Sequence, residues 1–193
     1  MAKKLSRREF IKTTAVAGGA AAVLPQTLFS SNNKKVRIGF IGTGLRGQWM
    51  LWLATKYPNV EIPAICDIDD GMIKAALKIL KDGGKPEPKV YKENEEDFRN
   101  MVKNEDLDGV YLATPWEWHH PMAIAAMKAG IHVGTEVPAA LTVDECWDLV
   151  NVSERTGKFC MIMENVCYRR DIMAILNMVR KNMFGELLHC QGG

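Results

Sequence analysis

The sequence predicts an α/β fold built on a doubly wound parallel sheet. Two observations carry that prediction. The apolar run Val36-Arg37-Ile38-Gly39-Phe40-Ile41 has no turn residue before Gly39 and enters Gly42-Thr43-Gly44-Leu45-Arg46-Gly47 directly, with a helical pattern behind it. Beyond it, strand and helix patterns alternate on short connections, as parallel strands with crossover helices require.

Val36 to Ile41 reads as a buried strand and Gln48 to Tyr57 as a helix ended by Pro58-Asn59. Glu61 to Asp67 is the second strand. Asp69 to Lys81 is a helix with Ile73, Leu77 and Leu80 at helical spacing, and Asp82 to Pro88 is a loop. A short strand is expected at Lys89 to Tyr91, a polar-faced helix at Glu95 to Lys103 and a strand at Gly109 to Ala113. Pro121 suits the first turn of the next helix, where its missing N–H is not needed, and Gly130 closes it. Ile131 to Gly134 is a strand. Thr142-Val143-Asp144-Glu145 is a capping box opening a helix to Thr156, with Gly157 as its stop. Phe159 to Met163 is the sixth strand, Asp171 to Asn182 a helix stopped near Gly185, and Leu187 to Gln191 the start of a further strand.

A strand, a glycine turn and a helix start make a dinucleotide site. Gly42 permits the tight turn, Gly44 lets backbone approach a pyrophosphate, and Gly47 lets the helix sit close. The helix N-terminus offers unpaired N–H groups to phosphate oxygens. Asp67 ends the second strand about 20 residues on, the spacing of a ribose-binding carboxylate. A carboxylate there repels a 2′-phosphate, and Ile68 beside it supplies no cation, so the cofactor expected is NAD rather than NADP.

Residues 1–33 are a targeting segment. Ser6-Arg7-Arg8-Glu9-Phe10-Ile11-Lys12 resembles a twin-arginine export signal, and the apolar run Thr13 to Leu24 is too short to span a bilayer. The expected partner is the twin-arginine export machinery, the destination periplasmic or extracellular, and no membrane span is expected. Removing this segment removes the basic bias. It carries Lys3, Lys4, Arg7, Arg8 and Lys12 against Glu9, while the whole chain is only +2. The remainder is mildly acidic, and no nucleic-acid surface is indicated. Cys66, Cys146, Cys160, Cys167 and Cys190 show no zinc spacing, so no metal is expected and buried thiols are the plain reading.

Ligands in such sheets sit beyond the carboxyl ends of the strands. Strand four ends in Thr114-Pro115-Trp116-Glu117-Trp118-His119, strand five in Thr135-Glu136-Val137-Pro138, and strand six in Glu164-Asn165. These segments should converge on the crevice of the glycine turn. Glu117 and Glu164 are acid/base candidates or simply exposed carboxylates.

Thr114-Pro115 with His119, and Glu136 with Pro138, resemble the Gfo/Idh/MocA superfamily across Lys34 to Gly193. The resemblance implies an NAD(P)-binding Rossmann domain paired with a larger α+β sheet domain for a sugar or polyol. Most dehydrogenases of that superfamily carry Glu-Lys-Pro, with the lysine at the reacting carbon. This chain has Val137 there, which can neither donate a proton nor hold a hydroxyl.

A narrower set is similar to glycoside hydrolase family 109, the α-N-acetylgalactosaminidases: the export signal, Gly44-Leu45-Arg46-Gly47, Trp116-Glu117-Trp118-His119, Thr135-Glu136-Val137-Pro138 and Met163-Glu164-Asn165. That resemblance implies NAD as a recycled catalyst. A sugar hydroxyl is oxidised at C3, the acidified C2 proton is removed, and the glycosidic bond leaves by elimination. Water then adds back and the ketone is reduced again, outside the usual two-carboxylate route. It also implies Leu45 and Arg46 at the pyrophosphate and Asp67 at the ribose. Trp116, Glu117, Trp118, His119, Glu136, Val137 and Asn165 would flank the nicotinamide half. His119 either joins the site, with a catalytic role open to it, or caps the next helix. Tyr168, Arg169 and Arg170 face substrate or cap a helix.

The expected domains are 1–33 signal, 34–165 NAD-binding, and 166–193 a connecting helix with the first strand of a truncated substrate domain. Most catalytic groups are expected beyond Gly193, so residues 34–193 alone should hydrolyse no glycoside. An uncovered domain face and edge strand favour association into homo-oligomers. Three functions follow: an NAD-recycling glycosidase acting on a glycoside, a net oxidoreductase of a sugar or cyclitol, and a non-catalytic NAD-binding fragment.

Overall fold

The computed structural model describes residues 35–189. The export segment and the last residues of the expected final strand, Cys190 and Gln191, lie outside the described residues.

Strand β1 (Val36–Ile41) runs into helix α1 (Leu45–Thr55). The helix begins three residues earlier than its apolar spacing suggests, because Gly44 itself caps it and Gln48 N donates to Gly44 O at 2.8 Å. The expected second strand is split into β2 (Val60–Glu61) and β3 (Ala64–Cys66). Pro63 lies in the gap, where a residue without an N–H cannot continue a ladder. Helix α2 (Asp70–Asp82) is capped by Asp69, whose Oδ1 accepts from Gly71 N at 2.7 Å and Met72 N at 3.0 Å.

Strand β4 (Lys89–Tyr91) is followed by helix α3 (Phe98–Asn104), shorter than expected. Buried Asp97 accepts from Glu93 N and Asn100 Nδ2 and holds the preceding residues in a turn. Strand β5 (Gly109–Leu112) leads to helix α4 (Trp116–Lys128). The helix starts at Trp116, so Pro121 lies inside it rather than in its first turn. The ring costs the ladder bond to the Glu117 carbonyl, and Glu117 is exposed, so solvent can serve it.

Strand β6 (His132–Thr135) precedes helix α5 (Val143–Thr156), which opens on the expected capping box and closes on Gly157 at φ +66°. Strand β7 (Cys160–Ile162), a 3₁₀ turn (Val166–Tyr168) and helix α6 (Arg170–Arg180) follow. Leu187 to His189 form no strand, a correction to the expectation. No sheet neighbour pairs with them among the described residues.

The strands are all parallel, in the order β4-β3-β1-β5-β6-β7, with β2 extending β3 along the start of β1. Counting β2 and β3 as one strand gives the 3-2-1-4-5-6 order of a doubly wound dinucleotide fold. The alternation of side chains splits the core. Phe40, Ile65 and Tyr111 face Leu51 of α1 and Ile73, Ala76 and Leu80 of α2. Ile41, Ala64, Val110 and Leu112 face Phe98 and Met101 of α3, Ala123 and Met127 of α4 and Leu149 of α5. The strand order reverses between β1 and β5, and a crevice opens there beyond the carboxyl ends. The far edge is less covered: Met161 and Ile162 of β7 and Ile172, Met173, Ile175 and Leu176 of α6 are exposed. Among the described residues no helix is long and apolar enough to cross a membrane.

Candidate cofactor site

The glycine turn is built from close approaches that a side chain would forbid. Gly42 has φ +88°, and a Cβ on it would lie 2.5 Å from Ala113 O. A Cβ on Gly47 would lie 2.1 Å from Gly42 O, so this glycine lets α1 close onto the turn. Gly44 differs: a Cβ there meets nothing within 4 Å. Its side opens on a cavity of about 340 Å³ that it shares with Gly42, Asp67, Asn94, Thr114 and Trp118. The first-turn amides of α1 lack intrahelical partners, and Gly44, which caps that turn, lines the cavity.

Asp67 is tied to the turn. Its Oδ2 accepts from Thr43 N at 2.6 Å and Thr43 Oγ1 at 2.9 Å, and its Oδ1 from Asp69 N at 3.0 Å. Thr43 is fully buried, so these bonds fix the carboxylate at the cavity wall. Cys66 precedes it in the same wall. Burial, then the charges of Asp97 and Asp67, push its thiol up to about 12, which keeps it protonated and poorly nucleophilic. Cys160 is also raised by burial, to about 11. Cys146 and Cys167 are exposed, a correction to the expectation of buried thiols: Cys146 lines an open cavity between α5 and the β7 edge with Leu149 and Ile162, and Cys167 lies in the 3₁₀ turn. Cys190 lies outside the described residues.

Across the crevice, Arg46, Glu136, Asn165 and Tyr111 come together from α1, β6, the end of β7 and β5. Arg46 Nε donates to Glu136 Oε1 at 2.7 Å, and Arg46 Nη2 to Asn165 Oδ1 at 3.3 Å. The guanidinium also lies over the Trp49 ring, 5.2 Å from its centre. The Tyr111 hydroxyl donates to the same Glu136 Oε1. Burial first, then the Glu136 carboxylate, push the Tyr111 phenol well above its ordinary range, so it remains a donor.

The strand-four segment divides. Trp118 is partly buried, meets Phe98 edge-on and lines the cavity together with Glu117. Trp116 is exposed, as are Leu45 and Val137. His119 is 1% exposed, with Nδ1 2.7 Å from Pro138 O and Nε2 2.9 Å from Thr114 O. It stands in the first turn of α4 as a brace between two crevice loops, and neither nitrogen is left for a ligand. A neutral ring donates to one of these carbonyls and an imidazolium to both. His120 is half-buried and reaches Asp148 of α5 at 3.1 Å. Arg169 pairs with Asp171 at the start of α6, and Tyr168 is exposed. Among the described residues no group of three or more His, Cys, Asp or Glu is placed to hold a metal ion.

Thr43, Tyr111, Met72 and Asn94 were not singled out from the sequence. Asn94 follows β4, and the strand-end rule points to it once β4 is seen to pair with β3. A Tyr inside a central strand must find a hydroxyl partner, which is the available signal for Tyr111.

Residues 36–164 match the profile of the Gfo/Idh/MocA oxidoreductase family, NAD-binding Rossmann fold. Residues 168–193 match the C-terminal domain of glycosyl hydrolase 109, and residues 4–23 the twin-arginine translocation signal sequence. The signal marks the chain for export to the periplasm or beyond. A glycosyl hydrolase family 109 protein of Parabacteroides distasonis is 50% identical over 95% of this chain and 43% of its own length. An α-N-acetylgalactosaminidase of Tannerella forsythia is 49% identical over 95% of this chain and 44% of its own. The chain thus spans less than half the length of these curated relatives. The WlbA dehydrogenase of Chromobacterium violaceum, solved with NADH and UDP-GlcNAcA, shares the fold at TM-score 0.69 and 22% identity. That match covers 80% of this chain and 42% of the other. With its strand order, its glycine turn and a profile match over residues 36–164, the chain belongs to the Gfo/Idh/MocA oxidoreductase family and carries that family's NAD-binding Rossmann domain.

Proposed function

We propose that the chain is the NAD-binding part of a glycoside hydrolase of the family 109 type, an α-N-acetylgalactosaminidase in which NAD is used and restored within one turnover. The observation that carries this reading is the match of residues 168–193 to the C-terminal domain of glycosyl hydrolase 109, directly behind the dinucleotide crevice. Val137, exposed at the end of β6 where the superfamily resemblance implies a lysine, offers no group to accept the proton of a reacting hydroxyl, so that group must come from the substrate domain. The names of the relatives support the same activity.

The residues present fit the cofactor. The open side of Gly44 is a cradle that a Cβ would enter, and the cavity beside it is walled by Asp67. In this reading the amides of Leu45, Arg46 and Gly47, with Gly42 and Gly44, hold the pyrophosphate, and Asp67 holds the adenosine ribose. Arg46, Glu136, Val137 and Asn165 border the nicotinamide half, with Trp116, Glu117 and Trp118 as neighbouring walls. His119 sets the loops rather than touching the ligand. Bound NAD supplies a hydride acceptor next to the sugar. The chain's residues orient it and narrow the crevice, and the proton-transferring groups belong to the substrate domain. Residues 1–33 are then the signal, 34–165 the cofactor domain, and 166–193 the connection to the substrate domain. The exposed faces of β7 and α6 are where that domain or a second copy would pack.

The test is a chimera of this chain with the remainder of the Parabacteroides distasonis relative. With NAD in D₂O it should hydrolyse an aryl N-acetyl-α-galactosaminide, place deuterium at C2 of the sugar and accumulate no NADH. NADH released with free sugars beyond one equivalent per protein would support the net oxidoreductase instead. NAD binding without turnover would leave a binding module only.

A further inference from the structure

The dinucleotide fold has two mononucleotide halves on either side of the β1/β5 switch point. Asp67 lies on the β3 side, the adenosine half. Glu136 lies on the β5–β6 side, the half left for the nicotinamide ribose and ring. A carboxylate there is useful only if its free oxygen is held in one place, since a loose Glu would swing to solvent.

The structure shows how it is held. Glu136 has a side chain only 13% exposed, and its Oε1 accepts from two donors, one on α1 and one on β5. One is Arg46 Nε at 2.7 Å, itself steadied by Asn165 and the Trp49 ring. The other is the Tyr111 hydroxyl, rising from within the sheet. Tyr111 is 4% exposed and its ring is fixed against Phe40 at 5.5 Å, so its hydroxyl is rigidly placed. Among the described residues Glu136 Oε2 takes no hydrogen bond. Both donors therefore fall on one oxygen, and the other is left as an acceptor.

We propose that Tyr111 is a positioning residue for the nicotinamide half of the site: with Arg46 it saturates Glu136 Oε1, so that Oε2 stands ready for an N–H or O–H of the nicotinamide riboside. Tyr111 touches no ligand itself and acts only through Glu136. The burial that keeps its phenol protonated keeps it a donor throughout the working range of pH. The proposal rests on the dinucleotide reading of the crevice and extends it to a residue outside the glycine turn and the strand-end segments.

The experiment is calorimetric titration of the full chain with NAD and, separately, with ADP, which carries the adenosine and pyrophosphate but no nicotinamide riboside. Tyr111→Phe removes one oxygen and keeps the ring. It should weaken NAD about tenfold, the order of one hydrogen bond to a charged group, and leave ADP within about twofold. Glu136→Gln should cost a similar factor for NAD alone. The double variant should lose little more than either single one, because both act through one acceptor. Equal weakening of NAD and ADP would overturn the proposal in favour of a general structural role, and ADP binding doubles as the control for folding. Unchanged NAD affinity, or fully additive losses in the double variant, would also overturn it. If the unaltered chain binds neither nucleotide, the dinucleotide reading itself fails and takes the proposal with it.

Discussion

Two glycines of the same turn should respond to alanine in opposite ways. A Cβ on Gly47 would lie 2.1 Å from the Gly42 carbonyl, so α1 or the turn must move. Overpacking of this kind costs about 1–3 kcal/mol, and a domain of this size loses about 2–4 °C per kcal/mol. Gly47→Ala should therefore melt about 2–12 °C lower. A Cβ on Gly44 meets nothing within 4 Å, and Gly44 has φ −62°, which any residue adopts. Gly44→Ala should stay within about 0.5 kcal/mol of the unaltered chain. Its methyl group, however, enters the cavity shared with Asp67, where the pyrophosphate would pass. NAD at a hundred times its dissociation constant stabilises the unaltered chain by about 2.7 kcal/mol, a gain of about 5–10 °C on the same scale. Gly44→Ala should lose most of that gain. The assay is a thermal melt of each variant with and without NAD. If Gly44→Ala melts normally and still gains the full NAD shift, the cofactor does not run past Gly44. If Gly47→Ala melts like the unaltered chain, the contact between helix and turn is softer than its geometry implies.

Asp67→Ala strips Thr43 of two hydrogen bonds at a buried position and should cost about 1–3 kcal/mol. It should also narrow the preference for NAD over NADP at least about tenfold; an unchanged ratio in paired titrations would refute Asp67 as the discriminator. His119→Leu leaves the Thr114 and Pro138 carbonyls without their imidazole partner and should cost about 1–3 kcal/mol in urea unfolding. A negligible loss would show that it braces nothing. The Asp97 carboxyl is held below its ordinary range chiefly by the Glu93 amide, and Glu105 by the Tyr91 hydroxyl and then Lys89. As pH falls through the ordinary carboxylate values the unfolded chain binds more protons than the folded one, so this stabilisation is complete above about pH 5 and is lost progressively down to the lower folded values. Urea midpoints should hold from neutral pH to about 5 and then drop, and Asp97→Asn should flatten the drop. A midpoint that rises on acidification would contradict the assignment.

The strand–turn–helix unit was legible because its signals are local. Gly42 needs its positive φ, Gly47 its close approach, and a continuous apolar run can lie only between two covered faces. Helix ends were legible where a side chain caps them, as at Thr142 and Asp69, and hidden where none does. Trp116 begins α4 behind Pro115 with no side-chain cap, so the sequence marks the start only at Pro121, which lies inside the helix. The break at Pro63 was readable in principle, since proline cannot carry the ladder. The pairing of Tyr111, Arg46 and Glu136 was not, because it joins residues 90 and 25 positions apart through the order of the strands. His119 shows the same limit from the other side. Its sequence neighbours mark it for the crevice, while the fold engages both its nitrogens with backbone carbonyls.

The central claim is that this crevice holds NAD. Equilibrium titration of the purified chain tests it most directly. The account predicts one NAD per chain, bound at least about tenfold more tightly than NADP, with affinity lost in Gly44→Ala. A chain that is folded by its melting curve yet shows no heat and no stabilisation with millimolar NAD would contradict it.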